Sequence, residues 1–371
     1  MEIICNTQKL KEMLGYADRV VTRHITLPIL NNFLINTEKN GLKVSSTNLE
    51  MGVTCWFPCK VEKNGEITVP ARIFSSIISS LGGDKVALEV KKDNNLNIVS
   101  DHYRAVLKGE NAGDFPKIPS LNKENSFTVK ARLFTKALGQ LIGFVSNSET
   151  RPEITGIFIT KENGEKTLKI AATDSFRLGE KIIPLDDCHA KIGFSIIIPS
   201  RTCAEVIRIF SDMDGELLIT VEKNQIGFEL GKVEVVSRLI EGNYPDYKKL
   251  IPQEFNLTAG LEREVLVKTI KLVSLFSSRV SDIKLSFKKG HEPKLLMYAA
   301  DSDLGENDAE LPADISGEDL EVKFNWKYLV DGLAGLSGGT VFFNFIDEAK
   351  PCLIKSPEDK NFLYLVMPIR A

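Results

Sequence analysis

The chain has 371 residues, enough for two or three domains that each bury a core, which excludes a peptide hormone or a disulfide-stapled miniature. Its 47 basic and 50 acidic side chains leave a formal charge of −3, so any surface for a polyanion must come from local clustering of Lys and Arg. The six cysteines are scattered; only Cys55 and Cys59 lie close, as C-x3-C without a second half, which argues against zinc and for reduced, half-buried thiols.

The opening MEIICNTQKLKEMLG has no basic segment ahead of an apolar one, and no apolar run approaches the ~20 residues that span a bilayer, so a soluble cytoplasmic protein is expected. TQKLKEMLGYADRVV (7–21) carries Leu10, Met13, Leu14, Ala17, Val20 and Val21 as an apolar stripe at helical spacing. GLKVSSTNLEMGVTCWFP (41–58) reads as two alternating strands around a polar turn. EITVPARIFSSIISSLGG (66–83) runs from a strand into a helix with Ile73, Phe74, Ile77, Ile78 and Leu81 on one face, and Gly82 stands where a left-handed cap would end it. ENAGDFPKIP (110–119) closes the segment as an aromatic-proline linker.

The series then returns. KARLFTKALGQLIGFV (130–145), TLKIAATDSFRLGEKIIP (167–184), SIIIPSRTCAEVIRIFSDMDG (195–215) and the linker IEGNYPDYKKLIP (240–252) form a second copy. LEREVLVKTIKLVSLF (261–276), KLLMYAADSDLGENDAELP (294–312) and EVKFNWKYLVDGLAGLSGG (321–339) form a third. Arg72, Arg201 and Lys327 hold one place in the three copies, and Thr47, Thr173 and Ala300 another. An α+β fold of three repeated domains follows, at 1–125, 126–253 and 254–371, each with two helices plus antiparallel sheets. Two helices cannot cover both faces of a large sheet, so helices should gather on one side and strands on the other. Edge strands of neighbouring repeats can pair, the first and last repeats each keep one free edge, and a head-to-tail dimer would cap both as a closed ring.

The helices carry more bases than acids although the chain does not. Lys9, Lys11, Arg19, Arg23, Arg72, Lys130, Arg132, Lys136, Arg201, Arg208, Arg263, Lys268, Lys271 and Lys327 stand against Glu12, Asp18, Glu205, Asp212, Glu262, Glu264 and Asp331. Taken alone, that pattern fits solvated faces of good helix formers equally well. The recurrence of a base at one helix start in every copy favours a ring with an electropositive interior, suited to sequence-independent contact with a polyanion. The excess acid then belongs on strands and loops.

No P-loop, G-x-G-x-x-G, G-x-S-x-G or H-E-x-x-H string occurs, and the four histidines neither recur nor form a ligand-like pair. GLAGLSGG (332–339) reads as close helix packing and a cap. Glu50, Asp174 and Asp301 could serve a metal-dependent DNA-processing enzyme, but threefold repetition puts them in separate domains, and turn chemistry explains acids and amides there more simply. A monomeric repeat scaffold that binds peptides is the other alternative.

Over its whole length the chain resembles the bacterial β sliding clamp family, the processivity subunits of DNA polymerase III. The residues that carry this are TLPIL (26–30), TNLEMG (47–52), VPAR (69–72), ATDSFRL (172–178), EGNYPDY (241–247), FNWKYL (324–329) and YLVMPIR (364–370). The resemblance implies a non-catalytic, cofactor-free homodimeric ring whose helices line a hole around double-stranded DNA. It also implies that the replicative polymerase, clamp-loader subunits and repair proteins dock through short linear motifs. Carried over by position, the motif pocket is Ile154, Thr173, Ser175, Phe176, Arg177, Leu178, Pro245, Lys249, Leu250, Val280, Asn325, Tyr328, Val366, Met367, Pro368, Ile369 and Arg370. Ser175 and Phe176 stand where many members have Gly and His, and Pro152 and Glu153 replace tyrosines that some members place near DNA after Arg151. DNA contacts are expected at Arg23, His24, Arg72, Arg201 and Lys327. At the ring interface Phe74, Ile77, Arg104 and Leu107 should meet Leu275, Phe276, Asp303 and Glu306 of a second copy.

Overall fold

Apolar side chains recurring every three or four residues fold into six α-helices among the described residues, two per repeat: α1 Thr7–Ala17, α2 Ala71–Ser80, α3 Ala131–Leu141, α4 Ser200–Phe210, α5 Arg263–Val273 and α6 Trp326–Gly335. The structure, a computed structural model, describes residues 1–21, 26–38, 40–91, 93–188 and 193–370. Asn6 starts α1 by accepting the Lys9 N–H on its side-chain oxygen at 2.9 Å, and Asn325 caps α6 by accepting that of Lys327 at 3.0 Å.

Two local expectations are corrected. The buried face of α2 is Ala71, Phe74 and Ile78, whereas Ile73 is 52% exposed. The left-handed residue after α2 is Gly83 (φ +80°), not Gly82: Leu81 leaves the helix in an extended conformation that keeps its side chain buried, and the chain reverses two residues later. A Cβ at Gly83 would also stand 2.6 Å from the Asp101 carboxylate. In α6, by contrast, glycine serves close packing as expected, since a Cβ on Gly332 would lie 2.1 Å from the Tyr364 ring.

The strands assemble into two compact units, one built mainly from Met1–Arg132 and Ala204–Leu239, the other mainly from Leu133–Leu185 and the chain from Ile240 onward. Each unit owns one nine-stranded antiparallel sheet that crosses a repeat boundary. In the first, hairpin strand Met51–Pro58 pairs with Val233–Arg238, from Val233 opposite Cys55 to Ser237 opposite Met51. In the second, Arg177–Pro184 pairs with Phe362–Val366, with Arg177 opposite Val366. The unpaired backbone groups of one repeat's hairpin are thus satisfied by the last strand of the next. Each unit also has a shorter sheet. The five-stranded sheet of the first ends on Tyr103–Lys108, and the four-stranded sheet of the second ends on Gly305–Pro312. No helix among the described residues is long and apolar enough to cross a membrane.

Candidate functional site

The string ATDSFRL forms the turn between strands Thr167–Thr173 and Arg177–Pro184, and its polar side chains fold it. Thr173 Oγ1 donates to the Arg177 carbonyl at 2.6 Å and accepts the Ser175 N–H at 3.1 Å. Asp174 Oδ1 accepts the N–H groups of Phe176 and Arg177, both at 2.9 Å. This places Ser175 in the left-handed region (φ +79°), a conformation that costs a non-glycine residue about 1 kcal/mol. Asp174 is therefore occupied in turn formation, as the repeat pattern suggested. Its counterpart in the first repeat is Asn48 rather than Glu50: Asn48 Oδ1 accepts the N–H groups of Glu50 and Met51 at 3.0 and 2.8 Å.

Arg177 extends the turn into a network. Its Nε donates to Asp174 Oδ2 at 2.9 Å, one terminal nitrogen to Asp331 Oδ2 at 2.6 Å and the other to the Gly143 carbonyl at 2.8 Å. The guanidinium lies 4.4 Å from the Tyr328 ring centre, and Phe176 stacks on that ring at 6.5 Å. Burial, with the Asp174 charge, lifts the Tyr328 phenol above its ordinary pKa, so it remains a neutral platform. Phe176 itself is 60% exposed, an uncommon placement for a large apolar ring.

Beside this network lies a cavity of about 200 Å³. Eight expected residues line it: Thr173, Ser175, Phe176, Arg177, Leu178, Pro245, Leu250 and Met367. Four more that the position-by-position reading omitted complete it, namely Arg151, Tyr247, Pro351 and Leu365. Tyr247 and Leu365 stand inside the strings EGNYPDY and YLVMPIR, so their signal was present in the sequence; Pro351 carried none. Arg151 lies at the departure from the family pattern, and it donates to Ser175 Oγ at 3.0 Å and to Glu153 Oε1 at 3.0 Å. The Met367 N–H donates to the Phe176 carbonyl at 2.8 Å, tying the chain end to the turn. Tyr247 is held from below by its hydroxyl donating to Glu180.

The other expected pocket residues do not line this cavity. Ile154, Val366 and Pro368 are buried and stand outside the cavity lining. Ile369 donates its N–H to the Lys323 carbonyl at 2.8 Å, and Arg370 is exposed beyond it. Asn325 is engaged in capping α6, and Val280, 65% exposed, sits on a loop tied to the same helix by the Trp326 N–H on the Ser281 carbonyl. Lys249 pairs with Asp246 at 2.9 Å on the surface, while Tyr328 contacts the cavity's Phe176 and Arg177.

Of the expected DNA contacts, Arg23 and His24 lie outside the described residues. Arg72, Arg201 and Lys327 are exposed in the first turns of α2, α4 and α6. Part of the helical basic excess is used internally: Arg132 pairs with Asp214, Arg208 with Glu205, and Lys11 and Arg263 donate to the carbonyls of Leu81 and Gly338. Lys9, Lys136, Lys268 and Lys271 remain exposed.

The two short-sheet edges differ in charge. Tyr103–Lys108 carries exposed Arg104 and Lys108 with Val106 66% exposed, whereas Gly305–Pro312 carries exposed Glu306, Asp308 and Glu310. Beside the acidic edge, Leu272 and Leu275 are 57% and 65% exposed, Phe276 is half-buried, and the Leu272 carbonyl accepts from Asn307. Asp303 is exposed in the turn that leads into this strand. Ile77 is half-buried, but Phe74 and Leu107 belong to the core of the first repeat. Phe74 at 0% exposure offers no surface, so its expected interface contact is corrected in favour of a supporting role.

The fold and site together define a threefold-repeated α+β architecture of antiparallel sheets and paired helices with a turn-bounded cavity in its second unit. Models of the DNA polymerase III beta subunit match the chain three times in order: the N-terminal domain at 1–119, the central domain at 128–246 and the C-terminal domain at 248–370. The chain is 28% identical to the beta sliding clamp of Synechocystis sp. over 393 aligned positions, covering 100% of this chain and 99% of the relative. It is also 28% identical to that of Caulobacter vibrioides over 375 positions, covering both completely. The solved DNA polymerase sliding clamp of Bacillus subtilis superposes with a TM-score of 0.94 at 27% identity, covering 100% of this chain and 99% of that one. The chain belongs to the DNA polymerase III beta subunit family, the sliding clamps of DNA replication, whose members are non-catalytic processivity subunits. DNA and a polymerase are the partners that membership implies.

Proposed function

We propose that two copies of this chain join head to tail into a cytoplasmic ring that encircles duplex DNA without reading its sequence and tethers the replicative polymerase. The observation that carries this is the pairing rule of the sheets. Twice within the chain, a hairpin strand of one repeat pairs with the last strand of the next, and a nine-stranded sheet results. The last strand of the first repeat and the hairpin strand of the third end five- and four-stranded sheets and carry opposite charges. Joining them between copies would continue the same rule into two further nine-stranded sheets and close the ring. Arg104 and Lys108 would then face Glu306, Asp308 and Glu310, fixing register, while Ile77, Val106, Leu272, Leu275 and Phe276 supply apolar contact.

In this reading the domains are 1–125, 126–253 and 254–371, and Arg72, Arg201 and Lys327 lie along the DNA path with Arg23 and His24. Polymerase, loader subunits and repair proteins dock an apolar motif residue into the cavity bounded by Leu178, Pro245, Leu250 and Met367, under the exposed ring of Phe176. Topological enclosure lets phosphate contacts stay weak enough for sliding. Retention on DNA tests it. Loaded onto nicked circular duplex, the protein should persist until the circle is linearised and then run off the ends; equal loss from circular and linear DNA would refute the ring.

A further inference from the structure

Strand Glu2–Asn6 turns Ile3 and Cys5 inward. Antiparallel to it runs Lys60–Lys63, with Ile3 opposite Val61 and Ile4 opposite Lys60, so the next step of the register sets Cys5 opposite Cys59. Both side chains lie on the inner face: Cys5 is 1% exposed, while Cys59, half-buried beside Val61, packs against the same core and keeps a route to solvent. Opposed residues of an antiparallel pair hold their Cα atoms ~4.5–5.5 Å apart, within the ~4.4–6.8 Å that a disulfide spans.

We propose that Cys5 and Cys59 form a reversible redox pair that closes to a disulfide under peroxide and is reopened by a dithiol reductant. The Cys59 thiolate attacks one oxygen of hydrogen peroxide, the O–O bond breaks, hydroxide leaves and takes a proton to become water, and Cys59 becomes a sulfenic acid. The Cys5 sulfur then gives up its proton and attacks the Cys59 sulfur, expelling the hydroxyl as a second water and forming the S–S bond. Two electrons pass from the sulfurs to the peroxide oxygens, and a dithiol returns them by exchange.

The direction of attack follows from the environments. A hydrogen bond with Cys5 holds the Cys59 thiol below its ordinary pKa in spite of partial burial, while the same bond and burial raise Cys5. The other cysteines whose side chains are described are inert by comparison: Cys55, Cys203 and Cys352 are fully buried, and burial pushes the Cys55 thiol up to about 12. The bridge would brace the edge of the five-stranded sheet opposite Tyr103–Lys108 and close the loop between positions 5 and 59, which constrains the unfolded chain.

The test treats the reduced full-length protein with hydrogen peroxide, alkylates it, and reads intact mass and a non-reducing peptide map. The expected result is a loss of two hydrogens, a single cross-linked peptide pair containing Cys5 and Cys59, a higher melting temperature, and reversal of all three by dithiothreitol. Cys59→Ser should abolish the cross-link. In Cys5→Ala, a change of small volume, Cys59 loses the hydrogen bond that lowers its pKa, so it should oxidise more slowly and stop at a sulfenic acid that dimedone traps. A wild-type protein whose Cys59 gains oxygen without cross-linking, or whose cross-link joins other cysteines, overturns the proposal.

Discussion

The turns Thr47–Gly52 and Thr173–Leu178 share a backbone and differ in what they offer a partner. In both, a threonine hydroxyl and an asparagine or aspartate oxygen fold the loop, and the third residue takes a positive φ, Leu49 at +74° and Ser175 at +79°. Each turn borders a cavity of about 200 Å³. The first mixes Glu50, Lys117, Gln225 and Arg238 with Leu49, Met51, Ile118 and Val236, and Gly52 lets the Ile118 side chain so close that a Cβ would stand 2.9 Å from it. The second is lined by Phe176, Leu178, Pro245, Leu250, Leu365 and Met367. The repeat therefore supplies the hollow, and local side chains decide how polar its lining is and whether the chain's own linker, here Pro116–Pro119, forms part of the wall. The third copy departs further. Ala300 has no hydroxyl to fold the turn, and pairing Ala300 with Glu306 makes it one residue longer than Thr173 with Leu178.

Substitutions in the two turns can break this comparison. Arg177→Ala removes three side-chain hydrogen-bonding contacts and leaves Asp331 and the Gly143 carbonyl without their donor, so unfolding free energy in urea should fall by ~2–4 kcal/mol. Leu250 is 58% exposed, so Leu250→Ala should leave stability within ~0.5 kcal/mol yet weaken a fluorescent polymerase-motif peptide at least ~10-fold by anisotropy. Ile118→Ala in the first repeat should leave that affinity unchanged; equal losses from both would erase the distinction. Thr173→Val and Thr47→Val each forfeit the turn hydroxyl and should cost similar amounts, ~1–2 kcal/mol in matched melts. Smallest is the glycine pair. Leu49→Gly should gain ~0.5–1 kcal/mol by relieving the positive φ, and Ser175→Gly less, because it also loses the bond from Arg151.

Much of this was legible in the chain because it was written three times. Helical stripes, hairpins and the strand-to-helix units repeat, and repetition separated structural acids such as Asp174 from candidates for chemistry. Helix ends were less legible: α1 stops at Ala17 although Val20 and Val21 continue the stripe, because Val20 enters the core from a turn rather than from the helix. The pocket was readable where it lies within one string, as at Thr173–Leu178. It was harder to read where a residue's direction matters, since strand alternation puts Leu365 on the cavity wall and its neighbour Val366 off it. Phe74 and Ile73 show the same limit on a helix, where one position separates core from surface.

The central claim, that the basic edge Tyr103–Lys108 pairs with the acidic edge Gly305–Pro312 of a second copy, is tested most directly by mass in solution. Sedimentation equilibrium should give twice 41.3 kDa for the wild-type protein. For Val106→Glu, which sets an acid against Glu306 and Asp308 while leaving an exposed site folded, it should shift toward 41.3 kDa. A wild-type protein that runs at 41.3 kDa at micromolar concentration would contradict the account.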